Sequence, residues 1–209
     1  MNRLRIAVTK GRLLEDSLDL FEKMGLDCTE VRADTRKLIL PIVGYPMDVV
    51  LSKAADVLTY VSHGVCDLGI VGKDTIMEHG GSFSDMLDLG FGKCRFALAV
   101  PKGSDFYGDY RDRVLASKYP NVTKAYFAGK GMDVSVIKIE GSVELAPLVG
   151  LANGIVDIVQ TGTTLKENGL EPIEDVAPVS ARLIVNTASM KLHQREIFDF
   201  MDRIEAAQK

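Results

Sequence analysis

Cysteine and histidine are scarce in this sequence, and their scarcity excludes several kinds of site. The three cysteines lie far apart and form no C-x-x-C pair, so we expect neither a disulfide framework nor a zinc site. The three histidines are also separated, and the chain contains no G-x-S-x-G and no H-E-x-x-H motif. We therefore expect each histidine to be a surface residue rather than a catalyst.

Long apolar runs and an excess of basic residues are missing as well. No apolar run approaches the ~20 residues of a membrane span, and residues 1–10 lack the apolar segment of a signal peptide. The net charge of -4 argues against binding of nucleic acid through broad electrostatics. We expect a cytoplasmic protein that binds neither membrane nor nucleic acid, in which any phosphate site is local.

Alternation of strand-like and helix-like segments predicts the fold class. The 209 residues are enough for one large domain or two lobes that bury about 70% of the extended-chain surface. Residues 12–24 carry apolar side chains on one face and acidic ones on the other, and Gly25 is expected to end this helix. The alternation predicts an α/β fold with mostly parallel strands. The strand-like runs are 4–8, 49–51, 68–71, 96–100, 134–139, 155–159 and 183–185.

The segment 144–165 is the most informative part of the chain. Residues 144–153 have apolar residues at helical spacing, and Gly154 is expected to end that helix. Residues 155–159 form a short apolar run typical of a buried strand. The next four residues offer hydroxyls and backbone N–H groups that are suited to surround a phosphate at the start of a helix. They are Thr161, Gly162, Thr163 and Thr164.

Asp157 is an acidic residue inside that apolar strand. An ionised carboxylate there is costly unless a ribose hydroxyl pair or a bound cation compensates it. The plainer interpretation is that Asp157 caps a neighbouring helix and that the threonines form an ordinary turn. That interpretation explains neither the buried carboxylate nor the cluster of hydroxyls, so we predict a binding site.

Two segments of the chain share one spacing of glycine and aspartate. Gly64, Asp67 and Gly72 repeat the spacing of Gly154, Asp157 and Gly162, and each set predicts a helix end, a buried strand and an open turn. A duplicated lobe and the general likeness of βα units explain the repeat equally well. Two lobes with strand ends facing each other would form a cleft, which is the usual place for a small ligand.

The segment 144–165 resembles the phosphoribosyl-pyrophosphate (PRPP) loop of the ATP phosphoribosyltransferase family. Further motifs of that family recur along essentially the whole chain. They are Lys10-Gly-Arg12-Leu, Thr35-Arg36-Lys37-Leu38, Asp67-Leu-Gly-Ile-Val-Gly-Lys-Asp74 and Ser180-Ala-Arg-Leu-Ile-Val-Asn186. The resemblance implies two α/β lobes like those of type II periplasmic binding proteins, with a ligand cleft between them. Residues 1–95 with 180–209 would form the first lobe, which carries the ATP side and the dimer contacts, and 96–179 the second, with the PRPP loop.

The implied reaction is that of a pentosyltransferase in histidine biosynthesis, in which adenine N1 of ATP attacks the anomeric carbon of PRPP and expels pyrophosphate. It needs no side-chain nucleophile, but it needs cations that align two anionic substrates and stabilise the departing charge. Two strand-to-helix turns supply positive charge and helix-start N–H groups, and we assign both to ATP. They are Lys10, Gly11 and Arg12, and Gly72, Lys73 and Asp74.

Two further basic residues are assigned to catalysis by the resemblance. Arg36 matches the family arginine that reaches the reacting phosphates, a role that suits a fork-shaped guanidinium. Lys53 stands where the family usually has arginine, in a segment thought to reach the neighbouring subunit's site. Glu144 and Asp157 would hold ribose hydroxyls of PRPP rather than metal, and Mg²⁺ is expected on the substrate phosphates.

The resemblance also implies partners. The chain stops at Lys209 after an amphipathic segment at 192–206, as in the short form of the family, which lacks an added histidine-sensing domain. That form is expected to be a homodimer, and to join a regulatory subunit related to histidyl-tRNA synthetase in a hetero-oligomer.

Two other functions are compatible with parts of the pattern. A non-catalytic solute-binding protein would have the same two-lobe build, but the chain shows no export signal. A purine phosphoribosyltransferase also has a threonine-rich phosphate loop, but paired acidic residues usually precede it. Asp157 has Val156 and Ile158 as neighbours instead.

Overall fold

The computed structural model describes residues 3–33, 35–108 and 113–209. The chain divides into two compact units, with unit 1 comprising Met1–Gly92 and Ser180–Lys209, and unit 2 comprising Lys93–Val179. The helices and strands of the described residues, in chain order, are β1 (Leu4–Thr9), α1 (Arg12–Lys23), α2 (Thr29–Arg32), β2 (Ile39–Pro41), β3 (Met47–Ser52), α3 (Ala54–Ser62), β4 (Leu68–Gly72), α4 (Lys73–His79), β5 (Phe83–Asp88), β6 (Cys94–Pro101), β7 (Val114–Ser117), α5 (Pro120–Gly129), β8 (Ser135–Lys138), α6 (Leu145–Leu148), β9 (Gly154–Val159), α7 (Thr163–Glu167), β10 (Leu170–Val179), β11 (Ala181–Asn186), α8 (Thr187–Leu192) and α9 (Gln194–Ala207).

Unit 1 is built on a sheet with the strand order β2-β3-β1-β4-β11-β5. One face of this sheet packs against α1 and α9 through a core that includes Ile6, Phe21 and Phe200. The other face packs against α3 through a second cluster that includes Ala7 and Val57. Both faces are covered, as the near-continuous apolar sequences of β1 and β4 require.

Unit 2 is built on a sheet with the order β10-β6-β9-β7-β8. One face carries small residues such as Ala97 and Ala116 under α6 and α7. The opposite face packs Phe96 and Leu115 against Phe127 of α5. The small residues on the first face leave room for the segments that carry Glu144 and Thr161.

Five strands of each sheet share one order and one set of directions. In unit 1 the strands β3, β1 and β4 are parallel, and β11 lies antiparallel between β4 and β5. In unit 2 the strands β8, β7 and β9 are parallel, and β6 lies antiparallel between β9 and β10. Thus β1 corresponds to β7, β3 to β8 and β4 to β9. These three parallel strands lie in the centre of the sheet in unit 1 and on one side of the sheet in unit 2.

The α/β class predicted from sequence is confirmed, but the expectation of mostly parallel strands is wrong. Each sheet is mixed in part because one of its strands, β11 in unit 1 and β6 in unit 2, begins at the carboxyl edge of the parallel strands. Ala181 starts β11 opposite Gly72, the last residue of β4. Arg95, near the start of β6, lies opposite Val159, the last residue of β9. A strand that starts at this edge can only run antiparallel to its neighbour.

The helix predicted over 12–24 is confirmed as α1, whereas the helix predicted over 144–153 is wrong. Only α6 forms there, and it ends before Gly150, which has a φ of 73°. Gly154 does not end a helix but starts β9. A Cβ at Gly154 would lie 2.9 Å from the carbonyl oxygen of Ala99, so the glycine permits close pairing with β6.

The repeated glycine and aspartate spacing does not mark equivalent positions. Gly64 follows α3 with a φ of 69°, whereas Gly154 lies within β9. Asp67 precedes β4, where it accepts hydrogen bonds from the Arg5 N–H and the Ser189 hydroxyl, whereas Asp157 lies inside its strand. The two units are alike in strand order, but not in the register that the repeat predicted. Among the described helices, none is long and apolar enough to cross a membrane.

Candidate active site

The carboxyl edge of the unit 1 sheet carries the first predicted cation turn. The Lys10 N–H donates to the Ser52 carbonyl, which ties the end of β1 to the end of β3. Gly11 then precedes α1 with a φ of 92°, and no atom lies within 4 Å of where its Cβ would stand. Lys10, Gly11 and Arg12 are exposed. The turn therefore presents basic side chains and the start of a twelve-residue helix to a ligand.

The second cation turn lies at the end of β4, on the same edge. Gly72 is buried, and the Lys73 N–H donates to the Ser180 carbonyl. A Cβ on Gly72 would lie 2.0 Å from a carboxylate oxygen of Asp74, so the glycine allows that carboxylate to fold back over the start of α4. Lys73 is half-buried and shares the edge with Lys10.

Both predicted catalytic residues also belong to this edge of unit 1. Lys53 follows β3 directly and is the exposed N-cap residue of α3. Arg36 lies in the exposed segment before β2. Leu38, two residues after Arg36, accepts a hydrogen bond at its carbonyl from the Leu51 N–H of β3, which holds this segment at the end of β3. Between Lys10 and Lys53, the buried hydroxyl of Ser52 has no hydrogen-bond partner in the described part of the chain.

Asp157 lies two residues before the carboxyl end of β9 and is half-buried. Burial raises the pKa of Asp157, and the nearby negative charge of Glu144 raises it further. A hydrogen bond from the Ile158 N–H at 2.8 Å and the positive charge of Lys118 both act in the opposite direction. The sequence-based prediction of a carboxylate inside an apolar strand is confirmed. The raised pKa of Asp157 reflects a cost of burial that the neighbouring protein groups offset only in part.

Glu144 and the threonine turn lie at the same edge of the unit 2 sheet. Glu144 is half-buried and precedes α6. Gly162, with a φ of 78°, precedes α7, so a helix does begin at Thr163 as predicted. The hydroxyls of Thr161 and Thr163 are 3.1 Å apart, and Thr161, Thr163 and Thr164 are exposed. The turn thus groups hydroxyls beside the first N–H groups of the helix.

Lys118 is a residue of this edge that sequence reasoning missed. It follows β7, and its charge acts on Asp157 and also on Glu140, whose pKa is lowered chiefly by Lys138. The signal was weak, because β7 is only four residues long and was not predicted. Within the described residues, no group of three or more His, Cys, Asp or Glu side chains is arranged to hold a metal ion.

Comparison with known proteins assigns this arrangement to a family. The family model HisG, ATP phosphoribosyltransferase, matches residues 53–206. An ATP phosphoribosyltransferase of Clostridium kluyveri is 53% identical over 203 residues, which cover 97% of this chain and 93% of that protein. A chain of the ATP phosphoribosyl transferase (HisG:HisZ) complex from Thermotoga maritima is 32% identical with a TM-score of 0.83, and 98% of each chain is covered.

A more distant likeness concerns the fold alone. The periplasmic aliphatic sulphonate binding protein SsuA from Escherichia coli has a TM-score of 0.61 at 13% identity, covering 99% of this chain and 72% of that one. This likeness confirms the predicted type II periplasmic binding protein fold. It does not favour the solute-binding alternative, because the much higher identity is to the transferase. The family model and the 53% identity over nearly the whole chain show that the chain belongs to the ATP phosphoribosyltransferase family.

Proposed function

We propose that this chain is a pentosyltransferase that joins ATP to PRPP, giving phosphoribosyl-ATP and pyrophosphate in the first step of histidine biosynthesis. The observation that carries the proposal is the 53% identity, across 97% of the chain, to a protein named ATP phosphoribosyltransferase. The motifs that the family resemblance identified lie at the carboxyl edges of two sheets, where α/β proteins bind their ligands.

The reaction forms one bond and breaks one bond at the same carbon. Adenine N1 supplies an electron pair to C1 of PRPP, and the bond from C1 to the pyrophosphate oxygen breaks, so that pyrophosphate leaves with its electron pair. The protein supplies no nucleophile. It contributes by alignment of the two substrates and by stabilisation of the charge on the leaving group.

In this proposal, unit 1 binds ATP. Lys10, Arg12 and Lys73 provide positive charge at the ends of β1 and β4, and the start of α1 adds N–H donors. Arg36 stabilises the departing pyrophosphate with its guanidinium. Lys53 is exposed at the start of α3 and acts in the site of a neighbouring subunit.

Unit 2 binds PRPP. Asp157 and Glu144 accept hydrogen bonds from ribose hydroxyls, which compensates the half-buried carboxylate of Asp157. The turn from Thr161 to Thr164 surrounds a phosphate of PRPP with hydroxyls and N–H groups. The carboxylates of Glu144 and Asp157 make this edge more acidic than the edge of unit 1.

Mg²⁺ is proposed to accompany the substrates. Mg²⁺ usually keeps several waters and few protein ligands, so we place it on the pyrophosphate oxygens of PRPP. Such an ion would neutralise part of the phosphate charge. The residues named above would contact the metal complex through its phosphate oxygens rather than through the metal.

We further propose that the chain acts in the cytoplasm as a homodimer that associates with a regulatory subunit related to histidyl-tRNA synthetase. The support is the match to a chain of the HisG:HisZ complex over 98% of both chains. In the hetero-oligomer, histidine would inhibit through that subunit, because feedback requires a second site coupled to the first.

Product formation tests the proposed function directly. The purified chain, alone and with its partner, is mixed with ATP, PRPP and Mg²⁺, and phosphoribosyl-ATP and pyrophosphate are measured together. We expect equal amounts of both products, and none when PRPP is omitted. Absence of product from both the chain and the complex would contradict the proposed function.

A further inference from the structure

The PRPP side, as predicted from sequence, lacks a cation. Glu144 and Asp157 are both acidic, and the threonine turn is neutral. PRPP itself carries a monophosphate and a diphosphate, so two carboxylates alone would repel it. Anions in binding sites are usually held by charged donors, because hydrogen bonds to charged groups are about twice as strong as neutral ones. The site needs a positive side chain in unit 2.

Lys118 lies at the level of Asp157 at the carboxyl edge of the sheet. Ala116 of β7 pairs with Ile155 of β9 in parallel register. Lys118 follows the end of β7, two residues after Ala116, and Asp157 lies two residues after Ile155. Because side chains alternate along a strand, Asp157 shares the face to which Ile155 points, and α6 and α7 cover that face.

The backbone at Lys118 is fixed by its neighbour. The buried hydroxyl of Ser117 donates to the Val156 carbonyl at 2.6 Å and accepts from the Tyr119 N–H at 2.9 Å. Ser117 therefore links the backbone on both sides of Lys118 to Val156, the residue that precedes Asp157. A lysine held in this way loses little additional backbone freedom when it binds a ligand.

The ammonium group of Lys118 is available to a ligand. It is exposed, and within the described ranges its side chain forms no hydrogen bond or ion pair. Its charge nevertheless opposes the burial that raises the pKa of Asp157, and adds to the effect of Lys138 in lowering the pKa of Glu140. Lys138, at the end of the adjacent strand β8, is instead bound to Glu140 at 2.7 Å.

The likeness of the two sheets gives independent support. Lys118 is the first residue after β7, and Lys10 is the first residue after β1, the corresponding strand of unit 1. In unit 1 the Lys10 N–H donates to the Ser52 carbonyl of β3, and in unit 2 the Ile139 N–H, just after β8, donates to the carbonyl of Ser117, the residue before Lys118. Both units thus place a lysine at the end of their central parallel strand.

We propose that Lys118 binds a phosphate oxygen of PRPP in unit 2, and that it is the cation that makes the acidic edge of this sheet receptive to a polyanion. The inference rests on the proposed function and adds a substrate-binding residue to it.

The test compares two lysine variants from the same edge. Lys118→Met removes the charge and keeps the chain length, and Lys138→Met is the matched control from the neighbouring strand. PRPP and ATP binding are measured by calorimetry with Mg²⁺ on the full chain, and thermal unfolding checks the fold. We expect Lys118→Met to weaken PRPP binding about 10- to 100-fold and to leave ATP binding within about threefold.

Two further measurements separate the outcomes. Lys118→Arg should retain PRPP binding within about tenfold of wild type, since the charge is kept. Lys138→Met should change PRPP affinity less than about threefold, since that lysine already has a partner. Unchanged PRPP binding in Lys118→Met, or equal loss in Lys138→Met, overturns the inference alone. A wild-type chain that binds no PRPP overturns both the inference and the proposed function.

Discussion

The carboxyl edges of the two sheets have the same strand order but differ in chemistry. In unit 1, strands β1, β3 and β4 are each followed directly by a lysine, Lys10, Lys53 and Lys73. In unit 2, the corresponding edge adds Glu144, Asp157 and a threonine turn to Lys118. The scaffold fixes where side chains can reach a ligand, and the residues at the strand ends decide which ligand that is. The cationic edge suits a triphosphate, and the edge with carboxylates and hydroxyls suits a phosphorylated ribose.

Burial also differs between the two edges. Lys10, Lys53 and Arg36 are exposed, so water solvates their charges in the absence of ligand. Asp157 is half-buried, and burial raises its pKa. If the substrates bind as proposed, binding would relieve an electrostatic cost in unit 2 but not in unit 1. Changes at Asp157 should alter binding of one substrate selectively, whereas changes at Arg36 should alter the chemical step.

The largest effect is expected for Arg36→Ala. If this guanidinium acts mainly on the departing pyrophosphate, its loss should lower kcat by about 10²- to 10³-fold and raise the KM values much less. Steady-state kinetics with both substrates measures the division between kcat and KM. A change confined to KM would make Arg36 a binding residue of the cationic edge.

Asp157→Asn should weaken PRPP binding by about 10- to 100-fold, because a hydrogen bond to a charged group contributes ~1.5–3 kcal/mol. ATP binding should stay within about threefold of wild type. Calorimetric titration of each substrate in turn gives both values. Equal weakening of both substrates would mean that the two edges do not divide them.

The pH dependence of PRPP binding should follow Asp157. Its pKa is raised in the folded protein, so the carboxylate begins to protonate at a higher pH than an ordinary aspartate, and PRPP affinity should fall as pH is lowered through that pKa. Glu144 and Lys118 are the charged groups that face it. PRPP phosphates titrate near pH ~6 as well, so Asp157→Asn is the control. The fall should be steeper in wild type than in this variant, and identical curves would contradict the assignment.

Lys53→Arg should have a small effect, within about threefold in kcat/KM, because the charge is conserved and arginine adds bidentate geometry. The measurement is steady-state turnover at matched protein concentration, since Lys53 is proposed to act in a neighbouring subunit. A loss of more than about tenfold would show that the site requires the compact ammonium group.

Glu174→Gln should affect stability and leave turnover within about twofold. Burial alone would raise the pKa of Glu174, but hydrogen bonds from Lys130, Tyr107 and Tyr126 hold it at about 2. Its ionised form thus stabilises unit 2 above its ordinary pKa of 4.5, and that contribution is lost as pH falls toward 2. The substitution should cost about 1–2 kcal/mol, since the group is partly exposed. Thermal unfolding at neutral pH measures it, and an altered KM for PRPP would show that charges away from the strand ends also act on the site.

Long periodic or apolar segments could be predicted from sequence. The α1 helix has a regular apolar face, and β1, β4 and β9 are largely apolar segments. The β10 strand was missed because Pro172 and Pro178 interrupt it, which an edge strand tolerates where its N–H groups are unpaired. The helix predicted over 144–153 failed because its large apolar side chains do not form a buried face. Ala146 and Ala152 pack against the sheet, whereas four larger residues are exposed, namely Leu145, Leu148, Val149 and Leu151.

The same limit applies to the site. Asp157 could be found because a charge in an apolar run has a local cost. Lys118 could not, because its nearness to Asp157 depends on the pairing of β7 with β9, which are far apart in sequence. The assignment of Arg36 and Lys53 depended on family resemblance, since both are exposed basic residues and would otherwise be interpreted as surface.

The division of substrates between the two edges is tested most directly by a crossed titration. ATP and PRPP are each titrated into Lys10→Met from unit 1 and Asp157→Asn from unit 2, with wild type as reference. We expect Lys10→Met to weaken ATP and leave PRPP nearly unchanged, and Asp157→Asn to do the reverse. If both variants weaken the same substrate, or if the selectivity is inverted, the division is contradicted.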